Sequence, residues 1–218
     1  ATALIEAGHE PVFMVPTLPQ LRVKSYLASG RISIYWMIAT PERDEILVPV
    51  KVGLTEGLVG KRILFIKPGD QKLYDKVKSL DDFRDLQLVG AMGKDWFDIK
   101  IWKFNKLPYK VKHGNWKSVF KMIPQGRSFD YVTRGLNEIF IEAKEHPNLA
   151  VEKHLVLIMD RDFIFYLSDT GEYPGARYKA QISAAMWSAQ QSGLIHRMVK
   201  KYWADAFKTF NYEKRLAL

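Results

Sequence analysis

The 218-residue chain contains no cysteine. That removes disulfide scaffolds, cysteine-ligated zinc, iron–sulfur clusters and thiol nucleophiles from consideration, and it is compatible with an oxidising compartment. Long apolar runs are also missing. The longest, such as Ile63–Ile66 and Leu155–Met159, have strand length, far below the ~18–20 residues of a membrane span. No secretory signal is visible. The chain starts at Ala1 rather than Met, which is what a cleaved, trimmed or engineered start leaves. The five histidines form no H-x-x-x-H or H-E-x-x-H pair, so no metal site is expected. A G-x-S-x-G elbow is absent as well, which leaves an α/β-hydrolase nucleophile unsupported. The glycine-rich stretch Gly53–Arg62 falls short of a phosphate loop. Thr55 stands where the first glycine is needed, and Arg62 stands where Ser or Thr must follow the lysine. No cofactor is expected.

What is present reads as globular. Hydrophobic residues make up 47% and aromatics 13%, enough for a sizeable core. Lys plus Arg is 33 against 24 Asp plus Glu, a formal net charge of +9 that admits an anionic partner. Eight lysines but no arginine lie between Gly93 and Gln125. Base and phosphate readers draw on arginine forks, so Lys100, Lys103, Lys106, Lys110, Lys112 and Lys117 read as the solvated side of amphipathic elements, and a nucleic-acid partner is not expected.

Strand and helix patterns alternate along the chain. Short strands are expected at Pro11–Val15, Arg31–Met37, Ile46–Val52, Lys61–Ile66, Leu86–Val89, Tyr109–Lys112, Phe129–Val132, Leu155–Ile158 and Phe163–Leu167. Helices are expected at Leu18–Ala28 (capped by Gly30), after Ser79, from Asp95 to Asn105, and over Trp116–Ile123 and Gly135–His146. Two more run from Pro174 to Gly193 and over Leu194–Phe207. Gly90 and Gly93 flank an expected turn, and Asp160 and Asp162 read as a solvated one. The pattern is that of an α/β protein built from crossovers.

Two features point to chemistry. Ala39-Thr40-Pro41-Glu42-Arg43 follows the apolar strand ending in Trp36-Met37. Ligands of open α/β sheets collect at strand C-terminal ends, where an arginine can grip a carboxylate with two bonds. The plain alternative is a surface arginine paired with Glu42 or Asp44. The second feature is Gly126-Arg127-Ser128-Phe129-Asp130-Tyr131, which leads to Thr133-Arg134-Gly135 at a helix start, where backbone N–H groups favour anions. Its plain alternative is an ordinary turn–strand–turn.

In order and spacing, several segments resemble the bacterial extracellular solute-binding proteins of family 3, in an uncharacterised branch. They are Gln20-Leu-Arg22, Leu27–Ile34, Thr40-Pro-Glu-Arg43, Gly60–Ile66, Val77–Asp82, Gly90–Trp96, Gly126–Asp130 and the Pro174-to-Gly193 helix. The resemblance implies the two-lobed type II periplasmic binding-protein fold, an α/β architecture joined by two hinge crossings. Lobe one would comprise residues 1–64 plus 165–218, and lobe two residues 65–164. A small carboxylate-bearing ligand, amino-acid-like, would be trapped between them for a membrane permease of an ABC transporter in the periplasm. Thr40 and Arg43 would clamp its carboxylate, and Trp36 and Trp96 would sandwich it. Gly93 and Lys94 would offer backbone donors. Where the family places an acid for the ligand amine this chain has Arg134-Gly135, so Glu138 is the substitute and Arg134 favours a second anionic group. The family's first strand and helix have no counterpart ahead of Ala1. A ligand-sensing domain acting on a membrane receptor is the alternative with the same fold. An enzyme on this scaffold, such as a cyclohexadienyl dehydratase or a lytic transglycosylase, would need Glu138 or Asp98 as its acid, and none is expected.

Overall fold

The computed structural model describes residues 1–11, 20–94 and 96–218. In chain order the elements begin with α1 (Thr2–Glu6), α2 (Gln20–Ala28), β1 (Ile34–Ile38), α3 (Pro41–Asp44), β2 (Val48–Val50) and β3 (Lys61–Ile66). Then come α4 (Gln71–Tyr74), α5 (Leu80–Asp85), β4 (Gly90–Gly93), α6 (Asp98–Phe104), β5 (Tyr109–Lys112), α7 (Val119–Met122) and β6 (Tyr131–Gly135). The last are α8 (Leu136–Glu145), β7 (Ala150–Val151), β8 (Leu155–Ile158), β9 (Phe163–Leu167), α9 (Lys179–Gln191), α10 (Leu194–Thr209) and β10 (Leu216–Ala217). Two compact units result: residues Ala1–Gly57 with Asp160–Tyr202, and Leu58–Met159 with Trp203–Leu218.

The first unit is built on the antiparallel sheet β1-β9-β2, with Trp36 opposite Phe165. Successive side chains of a strand point to opposite faces. Tyr35 and Met37 therefore pack against Leu27, Leu47, Ile164 and Tyr166, while Ile34 packs against a second cluster of Val50, Val52, Leu167 and Met186. Trp36 shares the face of Ile34 but is 45% exposed. Past α2, Gly30 adopts φ +70, and a Cβ there would lie 2.3 Å from the Thr170 carbonyl oxygen. Only glycine meets both conditions at low cost. Apart from Pro11, the expected strand Pro11–Val15 lies outside the described residues, as do Leu18 and Pro19 of the first expected helix.

The second unit carries a mixed sheet in the order β10-β8-β3-β6-β4-β5, with β7 also paired to β3. Its core gathers Leu64, Ile66, Tyr74, Phe83, Met92, Trp102 and Tyr131. Trp102 satisfies its buried indole N–H by donating to the Tyr131 hydroxyl at 2.8 Å. The lysines between Gly93 and Gln125 named above behave as expected: Lys100, Lys103, Lys106, Lys110 and Lys117 are exposed, and Lys112 is half-buried.

Three expectations need correction. Leu86–Val89 is not a strand, and Gly90 and Gly93 do not flank a turn; the Gly90-Ala-Met-Gly93 segment is itself the buried strand β4. The reason is close packing, because Tyr131 lies over Gly90 and the Trp96 indole over Gly93. A Cβ on Gly93 would fall 2.4 Å from Trp96 Nε1. Second, β6 runs on through Thr133, Arg134 and Gly135 instead of ending at Val132, since Arg134 pairs with Ile63 of β3. Third, Asp162 does not point into solvent. It accepts from the Thr55 N–H at 3.1 Å, the Phe163 N–H at 2.7 Å and the Thr55 hydroxyl, so it ties two loops of the first unit.

Candidate functional site

In the first unit, Thr40 and Arg43 share one turn beyond the C-terminal end of β1. Thr40 is the N-cap of α3, with Pro41 at the first helical position, and its hydroxyl accepts from the Arg43 N–H at 3.3 Å. This is the standard chemistry of a helix start. The Arg43 guanidinium turns back and donates through Nη1 to the Ile38 carbonyl. Among the described residues it has no ion pair, which sets aside the pairing with Asp44. Burial lowers its pKa, partly offset by Tyr166 and Glu42. A half-buried cation without a paired anion favours an incoming carboxylate.

Tyr166 organises this turn, and no local sequence signal marks it. Its buried hydroxyl accepts from the Thr40 N–H at 3.2 Å and donates to Asp44 at 2.8 Å. Burial pushes the phenol up to about 12; the Thr40 N–H opposes the shift and the Asp44 carboxylate reinforces it. Asp44 in turn lies 3.6 Å from Lys51. Trp36, two residues before Ile38, stacks on Tyr35 with ring centroids 4.2 Å apart.

In the second unit Trp96, Arg134 and Glu138 fall into one polar cluster. Gly93 is buried under Trp96, and Lys94 is exposed. Arg134 is 9% exposed. It donates through Nε and Nη2 to Glu142 at 2.7 and 2.9 Å, and pairs with Glu138 at 2.9 Å. Its guanidinium carbon lies 5.5 Å from the Trp96 ring centre and 4.8 Å from that of Trp116. Burial works against its charge, but Glu138 and Glu142 outweigh it and raise the pKa. Glu138 also accepts from the Gly135 N–H at 2.9 Å, so the start of α8 already has an anion of its own. Behind it, buried Arg62 bridges Glu138 at 3.1 Å and Asp98 at 3.2 Å. Asp95, the other acid near Trp96, lies outside the described residues.

Sequence reasoning named Trp96, Arg134 and Glu138 but missed Arg62, Trp116 and Glu142. Arg62 did leave a signal: one arginine at the head of the otherwise apolar run Arg62–Ile66, in a strand buried from Arg62 onward, demands a partner. Glu142 sits one turn beyond Glu138 on α8, on the face that meets Arg134. Arg127, from the second sequence feature, is exposed. Among the described residues no group of three or more His, Asp or Glu can hold a metal ion, and no helix is long and apolar enough to cross a membrane. A cavity of about 620 Å³ in the second unit, lined among others by Phe140, Lys144, Lys208 and Phe210, contains none of the predicted site residues.

No protein-family model matches the chain, and no curated protein matches it. Solved structures do. An amino acid ABC transporter substrate-binding protein from Streptococcus pneumoniae bound to L-arginine aligns with a TM-score of 0.63 at 16% identity, over 92% of this chain and 79% of that one. The GluR0 ligand-binding core in complex with L-glutamate aligns at 0.61 and 15%, over 93% and 86%. An ancestral amino acid-binding protein described as a precursor of cyclohexadienyl dehydratase aligns at 0.62 and 17%, over 93% and 82%. At these identities the likeness concerns the fold: the chain is a mixed α/β protein, its sheets flanked by helices, with the fold of the amino-acid ABC transporter substrate-binding proteins.

Proposed function

We propose that this chain is a non-catalytic solute-binding protein, working in the periplasm, that captures a small polar molecule carrying a carboxylate and presents it to the permease of an ABC transporter. The observation that carries this reading is the Thr40–Arg43 turn. It presents a half-buried guanidinium, without an ion pair among the described residues, just past the end of a half-buried strand, and the fold shared with amino-acid-binding proteins supports it. Trp36 supplies an exposed aromatic face two residues before the carbonyl that Arg43 holds. On the second unit, Gly93, Lys94 and Trp96 are the further candidates. Asp98 and Glu138, the acids an enzyme would need, both face Arg62, and this supports a structural part for them rather than proton transfer.

The test is a thermal-shift screen against amino acids, dicarboxylates, polyamines and short peptides. A ligand at about 100 times its Kd adds roughly 2.7 kcal/mol, or about 5–10 °C in Tm for a chain of this size. A selective shift that disappears in Arg43→Ala supports the reading. Tight binding retained in that variant overturns the role given to Arg43, and no shift across the panel removes the transport reading. The GluR0 ligand-binding core, which shares the fold, favours one second reading, a sensor domain of a membrane receptor. A permease and ATPase encoded beside this chain would speak for transport, and a kinase or cyclase for sensing.

A further inference from the structure

The guanidinium of Arg134 is held as a bound ligand would be. Trp96 and Trp116 face it at 5.5 and 4.8 Å, their ring centres 4.9 Å apart and their planes inclined at 67°. Glu142 receives two parallel hydrogen bonds from Nε and Nη2, and Glu138 takes a further contact from Nη2. A planar, delocalised cation is the species that both stacks on an aromatic wall and fills a two-oxygen fork; an ammonium group supplies charge to the rings and carboxylates but not the planar fork. The walls come from separate pieces of the chain. Trp96 follows β4, Trp116 opens a one-turn 3-10 helix, and both glutamates project from α8. Glu138 has a second anchor in Arg62 and a third in the Gly135 N–H, so its carboxylate stays placed even if Arg134 is removed.

We infer that Trp96, Trp116, Glu138 and Glu142 form a receptor for guanidinium-type cations whose occupant is the chain's own Arg134. This goes beyond the proposed solute-binding role and does not depend on it. As long as Arg134 fills the receptor, a guanidinium-bearing solute is shut out of it; once Arg134 is shortened, such a solute takes its place.

The experiment is chemical rescue. Arg134→Ala deletes what ethylguanidinium would restore. In that variant ethylguanidinium should give a saturable rise in Tm, roughly 3–6 °C at ten times its dissociation constant, with a change in tryptophan fluorescence. Propylammonium should not. The unaltered chain should respond to neither, and adding Glu142→Gln should abolish the rescue. Equal responses to both cations, or a similar response in the unaltered chain, would overturn the inference. If Arg134→Ala does not fold by itself, it is refolded from urea with each cation. Recovery of native circular dichroism with ethylguanidinium alone supports the receptor, and failure with both sinks it. None of these outcomes depends on Arg43, so the solute-binding proposal stands or falls separately.

Discussion

A single phenol links most of the first-unit candidates. Tyr166 holds the Thr40 N–H and the Asp44 carboxylate together, and the Thr40 hydroxyl in turn positions the backbone of Arg43. Removing that hydroxyl leaves a buried N–H without its partner, at a cost of about 1–3 kcal/mol. Tyr166→Phe is therefore expected to lower stability by that amount in urea unfolding and to weaken any ligand that depends on Arg43. Arg43→Lys keeps the charge but loses the planar fork. For a carboxylate ligand its affinity should fall at least about tenfold, as titration calorimetry would show, while the Tm of the ligand-free protein moves little. In the second unit, Glu142→Ala removes two of the three carboxylate contacts of the buried Arg134 and leaves only the one to Glu138. A loss of about 3–5 kcal/mol is the usual result of breaking one side of a buried pair, and denaturant unfolding would read it.

At the scale of elements, caps and close approaches decide the boundaries. Ser79 accepts from the Asp82 N–H at 3.1 Å, while Asp82 accepts from the Lys78 N–H at 2.9 Å. The backbone bond from Lys78 and the hydroxyl of Ser79 hold the Asp82 carboxyl below its usual range. Ser79→Ala should cost about 1 kcal/mol in thermal unfolding. Gly30→Ala should cost more than about 2 kcal/mol, because a side chain there meets both a left-handed backbone and the Thr170 carbonyl. Such signals explain what could be read in advance. Lys61–Ile66, Tyr109–Lys112, Leu155–Ile158 and Phe163–Leu167 were legible to the residue as runs of apolar or alternating character. The segment Gly90–Gly93 was not, because its strand character comes from Tyr131 and Trp96 lying over its two glycines, contacts from outside the segment. The strands Ala150–Val151 and Leu216–Ala217 are too short to show a period and exist through their partners. The site followed the same rule. The Thr40–Arg43 turn was visible as a local cap, whereas Tyr166, Arg62 and Glu142 reach their partners only through the sheet and the facing helix.

The whole molecule should show its buried phenols in alkali. Burial raises Tyr74 and Tyr131 far above the ordinary tyrosine value of 10.0 and Tyr166 to about 12. In the folded protein these groups keep their protons while the unfolded chain gives them up near pH 10. The unfolded state then binds fewer protons, so stability falls with rising pH. It is fully present below about pH 10 and declines from there toward about pH 12. Absorbance at the phenolate band and Tm recorded together should show Tyr74 and Tyr131 ionising only with unfolding and Tyr166 not before about pH 12; ionisation in the folded protein near pH 10 would contradict their burial.

The order in which the chain is made adds a consequence to the place of β10. That strand pairs with β8 through the Leu216 N–H and the Leu218 carbonyl and N–H. Arg215 just before it is buried against Glu152 and the Leu155 carbonyl. Between the two strands the ribosome must deliver Asp160–Tyr202, which belong to the other unit. A nascent chain thus carries Ala1–Gly57 and Asp160–Tyr202 while the second unit still shows an unpaired strand edge, the kind of surface that invites wrong partners. The free edge of β8 is covered only once β10 has been made, after all of Asp160–Tyr202.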